Sequence, residues 1–187
     1  MEYYIYIILI QVDTFTLTSA ANTVTIGGGT GGSSSTNFAI NTDDVYVLFY
    51  RDVYMTSDGA VSAVRLTKSG DGTAVTSVSY ANARQNMYSS QAHYDAANQY
   101  LSSFSMIGCG TTSQESQQGV YWLYNFNSSS LHSYVNWHQQ VTTETPEYIG
   151  PVGGGQLNVA ETHDGVQFFA NTGNIANGTW TLYKVVS

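Results

Sequence analysis

Residues 119–137 read GVYWLYNFNSSSLHSYVNW, and this stretch decides the fold class. Residues 120–126 are rich in aromatic and β-branched side chains and have no polar face at helical spacing, which is typical of a β-strand. Asn127 and the serines at 128–130 then favour a turn, because their side chains hydrogen-bond to nearby backbone groups. The chain returns through residues 131–137, so the stretch predicts a β-hairpin.

The composition extends this prediction to the whole chain. Of the 187 residues 42% are hydrophobic, but only 10% are charged, against about 25% in an average globular protein. The chain has 15 tyrosines, 18 glycines and two prolines, which suits many short strands joined by turns. No window shows an amphipathic helical period, so an all-β protein is expected. A turn of helix is expected only in the polar residues 82–90.

The predicted domain organisation has three parts. Residues 1–26 form an N-terminal strand segment, residues 27–35 (GGGTGGSSS) a flexible linker, and residues 36–187 an all-β domain. Within the first part, residues 3–12 (YYIYIILIQV) lack the basic region of a secretory signal and are too short to cross a bilayer. They are expected to form a buried strand.

A possible internal repeat leaves two architectures open. Ile5, Val64, Leu123 and Leu182 lie at a constant spacing of 59 residues, each in an apolar segment. This spacing predicts about three blade-like repeats, each with four antiparallel strands as in a propeller. Because propellers need about 4 to 8 blades, such a ring would be completed by oligomerisation or by a larger chain. The alternative is a β-sandwich or jelly roll, which this length suits.

Charge and cysteine content exclude several classes of partner. The net charge is −8, and no Lys or Arg occurs between Arg84 and Lys184. Binding to nucleic acid or to an anionic membrane needs clustered cations, so neither is expected, and no membrane insertion is expected. Cys109 is the only cysteine, which excludes an intrachain disulfide and predicts a structural thiol.

Patterns that carry catalysis or bind a metal are weak. The carboxylates Asp43 and Asp44 are neighbours whose side chains point apart on a strand, and Glu144 with Glu147 is the other close pair. The four histidines show no HxH or HExxH spacing, and no GxSxG motif occurs. The sequence therefore predicts no enzyme, no metal site and no cofactor, with a glycan-processing hydrolase as the least favoured function.

The candidate ligand-binding residues are Trp137, His138 and Tyr148. The longest predicted loops, 108–118 and 139–155, flank the Trp137-His138 pair, and the second contains Tyr148. Their amides and hydroxyls around an aromatic platform would suit a neutral sugar or a polar protein surface. The alternative for Trp137 is buried strand packing.

In composition, this chain resembles virion and extracellular adhesive proteins such as fibre, decoration and lectin modules. The resemblance rests on low charge, abundant Thr, Ser, Asn and Gly, and repeated hairpins. It implies a non-enzymatic structural or attachment protein that acts as a homo-oligomer on a virion or outside the cell. A carbohydrate-binding lectin is the alternative. The expected partners are other copies of the chain, and a surface glycan or another structural protein.

Overall fold

The computed structural model describes residues 8–27, 33–35, 40 and 45–186. These residues form two β-sheets packed face to face, and a single 3-10 turn at Ser113–Glu115. The strands are β1 (Ile8–Thr16), β2 (Thr23–Gly27), β3 (Ser33–Ser35), β4 (Tyr46–Met55), β5 (Ala60–Lys68), β6 (Tyr80–Tyr88), β7 (Tyr94–Leu101), β8 (Phe104–Cys109), β9 (Gln117–Tyr124), β10 (Ser133–Thr142), β11 (Tyr148–Leu157), β12 (His163–Ala170) and β13 (Ile175–Val186).

The larger sheet has eight strands in the order β1-β13-β4-β9-β10-β11-β6-β7, and all neighbours are antiparallel. The predicted hairpin lies at its centre as β9 and β10, with Tyr134 opposite Tyr124 and Trp137 opposite Tyr121. The smaller sheet has five strands in the order β3-β2-β12-β5-β8. Its pairs are antiparallel except for β2 and β3, which are parallel.

The core lies between the two sheets and is rich in aromatic rings. Tyr50 of the larger sheet packs on Phe168 of the smaller sheet, with ring centroids 5.6 Å apart. Phe168 also contacts Tyr121 and Trp180 of the larger sheet. At the other end, Phe104 of β8 meets Tyr80 edge to face at 4.8 Å. Burial of these rings supplies much of the hydrophobic free energy that holds the sheets together.

Glycines in β11 make room for two core rings, those of Phe104 and Trp137. A Cβ atom on Gly155 would lie 2.6 Å from Cε1 of Phe104, and one on Gly153 would lie 2.7 Å from Cζ2 of Trp137. Any larger residue at either position would therefore displace an aromatic ring or its own strand. This packing explains why the sequence PVGGG continues a strand, where local rules predict a loop over 139–155.

The prediction of an all-β protein is confirmed, and the two stacked sheets agree with the sandwich alternative. The four-stranded blades are not seen. Val64 lies in the smaller sheet, whereas Leu123 and Leu182 lie in the larger one, and Ile5 is outside the described residues. The consecutive strands β4 and β5, which would belong to one blade, also lie in different sheets.

The N-terminal strands belong to the two sheets. β1 pairs with the C-terminal strand β13, and β2 pairs with β12. The expectation that residues 3–12 are buried is wrong for their described part: Ile8, Leu9 and Ile10 are exposed, because β1 is an edge strand of the larger sheet. Of the predicted linker, Gly27 ends β2 and Ser33–Ser35 forms β3, while residues 28–32 lie outside the described residues.

The predicted helical turn at residues 82–90 is also wrong, because Tyr80–Tyr88 forms strand β6. Its inner face carries the buried Asn82 and Asn86, so polar residues occur on both faces and hide the alternation. In the part of the chain that the structure describes, no helix is long and apolar enough to cross a membrane.

Candidate functional site

The outer face of the larger sheet carries a groove, exposed amide side chains and a pair of aromatic rings. Its composition follows from the alternation of side chains along β10. Ser133, Val135, Trp137, Gln139 and Val141 point into the core and are buried. Between them Tyr134, Asn136, His138 and Gln140 point outward and are exposed.

A groove of about 630 Å³ crosses this face. Strand pairing places Asn136, Gly154, Ala83 and Ala97 side by side on four neighbouring strands. Because three of these four residues have small side chains or none, the sheet is shallow here while the flanking side chains stand above it. We call this depression the groove; its lining is formed by Ala81, Asn82, Ala83, Ala97, Asn98, Gln99, Tyr134, Asn136, Gly154, Gly155 and Gln156.

The lining of the groove contains no carboxylate, histidine, lysine or arginine side chain. Its polar residues are Tyr134, which is 41% exposed, and five residues with amide side chains, Asn82, Asn98, Gln99, Asn136 and Gln156. Gln156 donates to the side-chain oxygen of Asn158. Within the described residues, the side chains of Asn136 and Gln99 have no hydrogen-bond partner in the protein. These amides are therefore available to a ligand.

Aromatic side chains cover the other half of the outer face. Trp122 and His138 meet edge to face with ring centroids 5.4 Å apart, and Phe49 meets Tyr183 in the same way at 5.6 Å. Register places Trp122 opposite Asn136, so this aromatic area adjoins the groove. The outer face thus combines an amide-lined groove with a neighbouring aromatic surface.

The three residues predicted as a ligand site are not brought together. Trp137 is 1% exposed, and its ring packs on Phe104 and Tyr121 in the core. It cannot act as a surface platform, and the alternative of strand packing describes it. His138 is exposed on the outer face, beside Trp122.

Tyr148 lies at the start of β11, where it pairs with Thr142, four residues along β10 from His138. At about 3.3 Å per residue, this separates the two backbones by roughly 13 Å. Tyr148 instead flanks Gly150 together with Met87. Tyr148 and His138 therefore belong to different parts of the outer face.

A buried Ser-His-Glu cluster was not anticipated from the sequence. The hydroxyl of Ser133 lies 2.8 Å from Nδ1 of His163, and Nε2 of His163 lies 3.5 Å from a carboxylate oxygen of Glu161. Both Ser133 and His163 are 0% exposed, so the hydroxyl is closed to a substrate. Burial lowers the pKa of His163, an effect that the nearby Glu161 partly offsets. The cluster joins β10 to β12 across the sandwich.

The other candidate reactive groups lie apart from one another in the described residues. Cys109 is buried, and burial raises the pKa of its thiol to about 12. Glu144 lies near Gly59, whereas Glu147 contacts Ser90. Asp43 and Asp44 are outside the described residues. Among the residues that are described, no three His, Cys, Asp or Glu side chains come together as metal ligands do.

The surface residues missed by the sequence analysis are Trp122, Tyr134 and Asn136. The sequence did contain a signal for two of them. In residues 133–142 the apolar Val135, Trp137 and Val141 all occupy odd-numbered positions. On a strand, Tyr134 and Asn136 must then lie on the opposite face. No such local signal brings Ala83 and Ala97 beside Gly154, because that depends on strand pairing across the sheet.

Comparison with known proteins found no matching family model, no similar curated protein and no similar solved structure. The chemistry of the outer face and of the sheet edges is therefore the basis for assigning a function.

Proposed function

We propose that this protein is a non-enzymatic structural or attachment protein of a virion or extracellular surface, which works as a homo-oligomer assembled through strand β1. The supporting observation is the exposure of three consecutive aliphatic side chains on an edge strand. Ile8, Leu9 and Ile10 are 56%, 43% and 52% exposed. They place apolar groups on both faces of the strand, beside a backbone edge that pairs with no strand among the described residues.

Edge strands of monomeric proteins usually carry features that block pairing with another chain, such as charges, prolines or bulges. In β1 the register shift lies between Gln11 and Asp13, and Asp13 is the one charged residue of the strand. Both features come after the aliphatic stretch. Residues 8–10 therefore form an apolar edge segment that has none of these features.

A second copy of the chain fits this edge because the segment is complementary to itself. Antiparallel pairing about Leu9 sets Ile8 of one copy opposite Ile10 of the other and extends the sheet across a two-fold axis. Each aliphatic side chain that becomes fully buried contributes about 1.5–3 kcal/mol. The contact also pairs backbone groups along the edge of β1 that faces away from β13.

The neutral character of the exposed face supports a binding role over a catalytic one. The groove has no carboxylate, histidine, lysine or arginine side chain in its lining, and the Ser133 hydroxyl is buried. General acid-base catalysis of glycan hydrolysis needs two carboxyl groups across a cleft. A surface rich in amide and hydroxyl groups suits attachment outside the cell.

Cysteine cross-linking tests the assembly directly. The native thiol of Cys109 is buried, with its pKa raised to about 12, so a single introduced cysteine is the reactive one. We would replace Ile8, Leu9 and Ile10 in turn by Cys and oxidise each variant at micromolar concentration. Leu9→Cys should form a disulfide-linked dimer in high yield, because pairing about Leu9 places the two copies of this residue opposite each other, within disulfide distance.

The matched control is Tyr94→Cys, at an exposed position on β7, the opposite edge strand of the same sheet. It should form no disulfide-linked dimer under the same oxidation. If none of the three β1 variants cross-links faster than Tyr94→Cys, assembly through β1 is refuted.

A further inference from the structure

We infer that the groove on the outer face of the larger sheet binds a neutral glycan. This inference rests on the attachment role proposed above and deepens it by naming the chemical class of the ligand and the residues that contact it. Tyr134, Asn136 and Gln99 form the walls, and Ala83, Ala97 and Gly154 form the floor.

The lining determines the charge of the ligand. It contains only Ala, Gly, Asn, Gln and Tyr side chains. A phosphate, sulfate or carboxylate would have to give up water without gaining a cation, and an amine would gain no carboxylate. Asp95 and Arg84 line an adjoining depression, which shares Ala83 and Ala97 with the groove, but neither charged residue is part of the groove lining. The groove therefore favours an uncharged ligand.

The hydrogen-bonding groups match hydroxyls. A side-chain amide offers two donors and an acceptor in one plane, and neighbouring hydroxyls of a sugar can accept from and donate to the same amide. The groove crosses the four neighbouring strands β10, β11, β6 and β7. Asn136 lies on β10 and Gln99 on β7, so the two amides stand on opposite sides of the groove. The partly exposed ring of Tyr134 and the alanine methyl groups offer apolar surface to the C–H faces of a sugar ring.

The shape depends on the absence of side chains. A Cβ atom on Gly154 would lie 2.6 Å from Oδ1 of Asn136, so glycine leaves that amide in place beside an open floor. The groove spans β10, β11, β6 and β7, which at about 4.8 Å between strands is roughly 14 Å. Its volume, about 630 Å³, lies in the usual range for small-ligand sites.

An extended peptide is the main competing ligand, and the topology disfavours it. Peptides that bind sheets usually add a strand at a free edge. Three of the four strands under the groove, β10, β11 and β6, have neighbours on both sides, so their backbone groups are already paired. A ligand in the groove is bound by side chains, which suits the hydroxyl groups of a glycan.

The test is calorimetric titration of the intact protein with neutral cello-, manno-, xylo- and malto-oligosaccharides. A charged galacturonate oligomer and a neutral unstructured peptide of similar length serve as comparisons. We expect at least one neutral oligosaccharide to bind and the galacturonate oligomer not to bind. Asn136→Ala removes amide contacts and Ala83→Leu fills the floor, and each should weaken binding by about tenfold or more.

The matched control is Gln140→Ala, an exposed amide on the same face of β10 but outside the groove. It should bind like the parent. Three results would overturn the inference. None of the four neutral series binds, the peptide binds in preference to them, or Asn136→Ala and Gln140→Ala bind equally well. Cross-linking through β1 is measured without a glycan, so loss of the glycan site and failure of the assembly are separate results.

Discussion

The hydroxyl of Ser133 lies 2.8 Å from Nδ1 of His163, and both side chains are fully buried between β10 and β12. The arrangement is close to that of a nucleophile and its base, but here it acts as a polar link inside the sandwich. Glu161, Asp164 and Lys68 are the charged groups that act on His163. Its titration should therefore be visible in stability.

Stability should fall as the pH drops below about 6.5, the ordinary pKa of histidine. Burial lowers the pKa of His163 in the folded protein, so the unfolded chain takes up a proton that the folded protein resists. The contribution of His163 to the free energy of unfolding is complete above pH 6.5 and is lost progressively below it. Urea denaturation at several pH values between 7.5 and 5.5 measures how steeply the free energy of unfolding depends on pH. His163→Gln should make this dependence weaker, and His138→Gln, which replaces an exposed histidine, should not. Equal slopes in the parent and His163→Gln would contradict this account.

The two tryptophans of the central hairpin should differ in their effect on stability. Trp137→Ala empties a core site beside Phe104 and Tyr121, and should lower the free energy of unfolding by about 3–5 kcal/mol. Trp122→Ala removes a partly exposed ring from the outer face, and should cost about 1 kcal/mol or less. Chemical denaturation of both variants makes the comparison. If Trp122→Ala destabilised the protein more than Trp137→Ala, the assignment of Trp137 to the core and of Trp122 to the outer face would be wrong.

Two glycines of β11 should respond differently to an added methyl group. Gly155→Ala places its Cβ 2.6 Å from Phe104 and should destabilise the protein by about 1–3 kcal/mol. Gly150→Ala meets nothing closer than 3.7 Å and has an ordinary backbone conformation, so it should be tolerated. Thermal melting of the pair tests whether β11 packs as a strand against the smaller sheet. Equal melting temperatures would indicate that it does not.

Local sequence signals were sufficient for the fold class and for the central hairpin. The aromatic run, the Asn/Ser turn and the return strand appear as β9 and β10 in direct pairing. Strand order was beyond such signals, because β4 lies between β13 and β9, and this depends on contacts between distant parts of the chain. In β11, Gly and Pro indicate a loop locally, while the rings of Trp137 and Phe104 require those same glycines in a strand.

The candidate site shows the same division. Alternation along residues 133–142 places Trp137 with Val135 in the core, and places Tyr134 and Asn136 on the surface. The groove itself arises only when Gly154, Ala83 and Ala97 become neighbours across three strands. Small residues carry little signal of their own, so the groove depends on the pairing register.

The mass of the intact protein in solution, measured by light scattering after size exclusion, tests the proposed assembly most directly. The chain has a mass of 20.3 kDa. We predict a multiple of this mass at micromolar concentration, and a return to a single chain in the Ile8→Lys, Ile10→Lys double variant, because buried lysines would oppose edge pairing. Intact protein that elutes as a monodisperse species of 20.3 kDa would contradict the proposal that it works as a homo-oligomer.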